Sequence, residues 1–136
     1  MLPVSLPGSS DATRERILDA AVALFAASGY EATAVRAIVQ RAGTNLNSIN
    51  YHFGGKLGLY KAVLQRELAR AASFTAQLPQ LDAKSPVASR LEALVLRLLT
   101  LFVSTHSHLP RLAALEVVNP SGAYAAGGLD VHGAEQ

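Results

Sequence analysis

The run Ala34-Val35-Arg36-Ala37-Ile38-Val39-Gln40-Arg41-Ala42-Gly43-Thr44-Asn45-Leu46-Asn47-Ser48-Ile49-Asn50-Tyr51-His52 decides the fold. It reads as two short helices, about Ala34 to Arg41 and Leu46 to His52, around an Ala42-Gly43-Thr44 break. Val35, Ile38 and Val39 point the first helix inward, and Thr33 is the best residue available to cap it. Gly43 can take the positive φ of a tight turn, and Asn45 is a good N-cap for the second helix. Two helices this short bury little surface alone and need a third behind them. Upstream, about Ala12 to Ser28, Ile17, Ala21, Leu24 and Phe25 recur at helical spacing and supply it. Asp11 or Thr13 can cap that helix, Glu15 suits its positive end, and Gly29 can close it. The expected unit is a three-helix head that holds its last helix out as a rod fitting a major groove about 12 Å wide.

The outer face of that rod has the chemistry such a role requires. Leu46 or Ile49, with the flanking Phe53, is expected to face inward, leaving Asn45, Asn47, Ser48, Asn50, Tyr51 and His52. Helix propensity does not favour three asparagines in eight residues, so a role outside the helix explains them better. An Asn amide can pair bidentately with adenine, and Ser and Tyr hydroxyls suit phosphate oxygens. Lys56, at the start of the next helix, can reach a phosphate beside that helix's positive end. Arg36, on the first helix of the pair, can reach a base edge or the backbone.

Beyond the head, Gly54-Gly55 breaks the chain, and a fourth helix is expected from about Lys56 to Ala76, with Leu59, Tyr60, Val63, Leu64 and Leu68 on one side. Residues 78–86 read as a linker. A leucine-rich fifth helix spans about Val87 to Ser104, and a short sixth about Pro110 to Val118. The partition expected is a flexible lead over 1–10, the DNA-binding head over 11–56, a connecting helix with a partial regulatory domain over 57–118, and a disordered Gly- and Ala-rich tail over 119–136. The fold class expected is all-α.

Composition agrees. Half of the 136 residues are apolar and only 6% aromatic, a mix that favours helices packed on helices. The net charge of +2 is uneven: residues 1–75 carry eight Lys/Arg against five acids, and residues 76–136 carry four against five. A mildly basic N-terminal half suits a polyanionic partner. There is no cysteine, which excludes disulfides and thiolate metal sites and fits a cytoplasmic location. Leu94 to Val103 contains Arg97 and is half the length of a membrane span, so no membrane association is expected. His106-Ser107-His108 invites a metal reading, but residues at i and i+2 face different sides of a helix and no carboxylate stands at ligand spacing. No nucleophile triad, phosphate loop or paired-carboxylate pattern stands out, so neither an enzyme nor a cofactor is expected.

At the level of whole motifs, Thr13-Arg14-Glu15-Arg16-Ile17-Leu18-Asp19-Ala20-Ala21, Leu24-Phe25-Ala26-Ala27-Ser28-Gly29-Tyr30-Glu31-Ala32-Thr33, Val35-Arg36-Ala37-Ile38, Ala42-Gly43 and Tyr51-His52-Phe53-Gly54-Gly55-Lys56 resemble the opening of the TetR-type transcriptional repressors. The block from Asn45 to Lys56 looks most like a subgroup with an all-helical, ligand-sensing C-terminal domain. The resemblance is dense over residues 12–70. It implies that Asn45 caps the recognition helix and that Tyr51, His52 and Lys56 contact phosphate. It further implies a homodimer on a palindromic DNA operator, released by a small-molecule effector. The chain departs from the family pattern in having Leu46 where many members carry Lys, Ala34 where Ser or Thr is usual, and Leu57 where an acid is common. Glu116-Val117-Val118-Asn119-Pro120-Ser121 still resembles the subgroup, after which the periodicity stops. The expectation is a chain cut short, its effector pocket incomplete and its dimerisation helices missing. Two alternatives stand beside the repressor: a monomeric DNA-binder without regulation, and a protein-interaction module using the Leu-rich fifth helix.

Overall fold

The computed structural model describes residues 8–76, 82–103 and 108–123. Six helices account for most of them: α1 (Gly8–Ser28), α2 (Val35–Ala42), α3 (Leu46–Phe53), α4 (Lys56–Ala76), α5 (Val87–Val103) and α6 (Leu109–Val118). Among the described residues there is no strand, as the composition leads one to expect. The one sizeable shift in a boundary is at α1, which begins at Gly8, so residues 8–10 of the expected lead are helical.

The centre of the fold is α1, which touches α2, α3, α4 and α6. So many neighbours demand a wide apolar face. Leu18, Ala20, Val22 and Ala26 are therefore buried in addition to Ile17, Ala21 and Phe25, whereas Leu24 is only half-buried at the margin. Ile38 and Ala42 of α2, Ile49 of α3, Leu59, Tyr60, Val63 and Leu64 of α4 and Leu112 of α6 complete one continuous core.

Thr33 does not cap α2. It is buried, and its hydroxyl lies 2.6 Å from the Gly29 carbonyl and 3.2 Å from that of Leu24, so it closes the C-terminal end of α1. Ala34 takes the N-cap position of α2 in an extended conformation with no side-chain bond, and its carbonyl accepts the first amides of the helix, from Ala37 and Ile38.

Carboxylates fix α4 to α6. Glu67 of α4 is fully buried, accepting the His108 amide at the N-terminus of α6 and facing the Arg70 guanidinium at 3.2 Å. Near the other end of α6, Glu116 accepts the Tyr60 hydroxyl at 2.9 Å. These two bonds set α6 antiparallel along α4. Arg66 ties α4 to α1 by reaching Asp19 at 2.9 Å and Glu15 at 3.2 Å.

Residues 119–123, expected to belong to a disordered tail, fold back on α6. The second carboxylate oxygen of Glu116 accepts both the Ser121 amide and its hydroxyl, and Ala123 is buried. A side chain five residues away thus satisfies the polar groups of the loop, which periodicity alone does not reveal. The remainder of that expected tail, 124–136, residues 1–7 and the His106-Ser107 half of the histidine pair lie outside the described residues.

By contrast, α5 is thinly attached. Its principal contact is with α4, and Val87, Leu91, Leu94, Val95, Leu96, Leu98, Leu99, Phe102 and Val103 are all exposed. No helix among the described residues is long and apolar enough to cross a membrane.

Candidate nucleic-acid interface

The turn between α2 and α3 is built around Gly43, whose φ of +67° lies in the left-handed region. A side chain there would be strained by about 1 kcal/mol or more. The Gly43 amide donates to Gln40 and the Thr44 amide to Val39, closing the end of α2 while the chain reverses. Asn45 then adopts an extended conformation, and its Oδ1 accepts the Ser48 amide at 3.1 Å. The cap expected of Asn45 is formed. Ser48 Oγ donates to the same Oδ1 at 3.4 Å and accepts the Thr44 hydroxyl at 2.8 Å. With Oδ1 engaged in the cap, the amide nitrogen of this exposed residue remains as a donor.

The inward anchor of α3 is Ile49, which is fully buried, and not Leu46, which is 54% exposed. Leu46, Asn47, Asn50 and Tyr51 form the solvent face, with Tyr51 81% exposed. Tyr51 is therefore a surface residue, its ring edge-on to His52 at 4.9 Å. His52 and Phe53 are half-buried, and Phe53 packs against the core with the Arg14 guanidinium 5.2 Å above its ring. Ser48 is half-buried and its hydroxyl is already engaged in the cap.

At the start of α4, the chain turns sharply and Gly58 lies against the end of α3. A Cβ on Gly58 would overlap the Phe53 carbonyl, so only glycine permits this approach. The turn places Lys56, the first residue of α4, beside the C-terminal end of α3, with its Nζ 4.4 Å from the centroid of the Tyr30 ring. Arg36 is exposed on α2 and makes no ion pair among the described residues.

The electrostatics favour an anion. Residues 32–66 contain Arg36, Arg41, Lys56, Lys61 and Arg66 and no Asp or Glu at all. Of the acids on α1, Glu15 and Asp19 are drawn toward Arg66. The α2–α3 stretch thus carries basic residues and no acid of its own. Among the described residues no three His, Cys, Asp or Glu side chains gather as metal ligands.

The structure therefore brings Asn45, Leu46, Asn47, Asn50, Tyr51, His52 and Lys56 together along α3 and its exit, with Arg36 on the preceding helix and Ser48 beneath them as part of the cap. Four residues escaped the sequence reading: Thr44, Tyr30, Arg14 and Gly58. Thr44 could have been suspected as a hydroxyl next to an N-cap. The other three act through residues distant in sequence or through backbone contact, which no local pattern announces.

Three helices around one core, with a tight turn delivering a polar-faced third helix to the surface, define a helix-turn-helix domain. Residues 17–63 match the family described as "Bacterial regulatory proteins, tetR family". The chain is similar to the HTH-type transcriptional regulator SrpR of Pseudomonas putida, 36% identical over 70 residues, 51% of this chain and 33% of SrpR. It is 41% identical over 66 residues to the HTH-type transcriptional repressor ComR of Escherichia coli K12, covering 48% of this chain and 31% of ComR. It is also 37% identical over 67 residues to TtgW of Pseudomonas putida, named an uncharacterized HTH-type transcriptional regulator, covering 48% of this chain and 50% of TtgW. The match thus spans 31% to 50% of the length of these curated relatives.

Proposed function

We propose that this chain is a sequence-specific transcriptional regulator that binds double-stranded DNA by laying α3 in the major groove. The observation that carries the reading is the division of α3 into a buried anchor, Ile49, and an exposed face of Leu46, Asn47, Asn50 and Tyr51. Asn47 and Asn50 offer amides for adenine edges, and Leu46 offers an apolar contact for a thymine methyl. In this reading Tyr51, His52 and Lys56 contact phosphates, Asn45 donates through its amide nitrogen, and Arg36 supplies a base-edge or backbone contact. Repression follows the role named for relatives such as ComR; the rest of the regulatory reading is our own, a homodimer on a palindromic operator with half-sites about one helical turn apart or more, released by a small molecule.

Mobility shift with duplexes selected from a random pool, at low and moderate salt, tests this. Binding that weakens with Asn50→Ala and Lys56→Ala supports the named face. No shift at any salt, or a shift indifferent to both substitutions, rejects it. The exposed apolar side chains of α5 favour a second reading, an interaction module whose partner covers that helix. Sedimentation at micromolar concentration separates the regulatory forms: a clean monomer removes the paired-operator mechanism and leaves a single DNA-binding head.

A further inference from the structure

We propose that Tyr30 is a positioning residue for DNA binding, holding the Lys56 ammonium in place at the mouth of the interface; this rests on the reading that Lys56 contacts phosphate. A lysine on a solvated surface samples many rotamers, and ordering it on a ligand is costly. Here that freedom is already reduced. Lys56 Nζ stands 4.4 Å from the centroid of the Tyr30 ring, the geometry in which the ring's negative face attracts a cation.

The ring is itself fixed from behind. Tyr30 follows the glycine that ends α1 and stacks on Phe25 at 6.0 Å, with Tyr60 tilted against it at 5.0 Å. Phe25 and Tyr60 are buried and meet edge to face at 4.9 Å. Tyr60 is anchored in turn, its hydroxyl bonded to Glu116 of α6. A ring held by two buried aromatics cannot drift, so it presents the lysine from a rigid seat, and rigidity before binding lowers the ordering cost at binding. The phenol oxygen has no part in this, because the attraction runs through the ring face. Tyr30→Phe should therefore preserve the effect.

The test is a double-mutant cycle on the full chain, titrating a fluorescent duplex selected from a random pool with the wild type, Tyr30→Leu, Lys56→Ala and the double variant. Tyr30→Leu is expected to weaken binding about two- to fivefold when Lys56 is present and to leave it unchanged in the Lys56→Ala background. Tyr30→Phe should stay within about twofold of wild type. An equal loss in both backgrounds, no loss, or tighter binding by Tyr30→Leu overturns the inference while Lys56 keeps its phosphate contact. No effect of Lys56→Ala removes the lysine from the interface and overturns both readings. Should Tyr30→Leu loosen the head, proton NMR of the wild-type protein gives the answer without a variant. The ring current of Tyr30 should move the Lys56 ε-methylene protons upfield of the other lysines, and their appearance at the ordinary position overturns the inference.

Discussion

Asn45 shows how one side chain divides its two functional groups. Its carbonyl oxygen is committed to the Ser48 amide, and its amide nitrogen remains as a donor on an exposed residue. Asn45→Ala should cost about 1 kcal/mol of stability through the lost cap and should weaken DNA binding as well. Asn45→Ser retains a cap, so its melting temperature should stay close to wild type while DNA binding still falls. Thermal unfolding beside a DNA titration separates the two losses. Tyr30 offers a different observable: burial, and secondarily the Glu31 carboxylate, push its phenol pKa above the ordinary value of 10. Because the folded state holds the proton more tightly than the unfolded one, Tyr30 should cost stability only as pH rises above 10, with no change below it. Melting temperatures across alkaline pH, compared with Tyr30→Phe, check this. The cap and the polar face are legible at this scale because both are local: an Asn before an apolar period, and Ile49 set against Asn47 and Asn50 on neighbouring turns. Whether Leu46 or Ile49 is the anchor depends on the position of α1, which no local pattern supplies. Thr33 misleads because its hydroxyl serves carbonyls four and nine residues upstream, so a good cap type near a helix start is not its cap.

Among the elements, the contrast between α4 and α5 is the sharpest. Leu64 is buried, and Leu64→Ala should cost about 2–5 kcal/mol. Leu94 on α5 is 53% exposed, and Leu94→Glu should change stability by no more than about 0.5 kcal/mol. Denaturant titration of the two variants distinguishes them, and equal losses would show that α5 is packed far more tightly than the structure has it. Glu116 holds the Tyr60 hydroxyl and the Ser121 loop together, so Glu116→Ala should cost about 1–3 kcal/mol by leaving those donors unpaired. Helix limits are largely readable, since Gly29, Gly43 and Gly54-Gly55 punctuate the chain and apolar spacing fills the intervals. Their docking is not. Glu67 with His108 and Tyr60 with Glu116 pair groups 41 and 56 residues apart, and a charged residue in a helical pattern reads as solvent-facing until its partner is seen.

The molecule as a whole joins a basic head to a helical region whose apolar surface is incompletely covered among the described residues. The acid-free stretch from residue 32 to 66 gives the head its positive field, and the charges beyond it nearly cancel. DNA affinity should accordingly fall as salt rises, and Lys56→Ala should reduce the slope of log affinity against log salt by about 1. The central claim, that α3 reads bases, separates from this charge effect in one measurement: titration of the full chain and of Asn50→Ala against both a pool-selected duplex and a scrambled duplex of the same composition, at fixed salt. The wild type should prefer the selected duplex, and Asn50→Ala should lose about 1–3 kcal/mol of that preference while binding the scrambled duplex as well as the wild type does. A wild type that binds the two duplexes equally, or an Asn50→Ala variant that keeps the full preference, would contradict it.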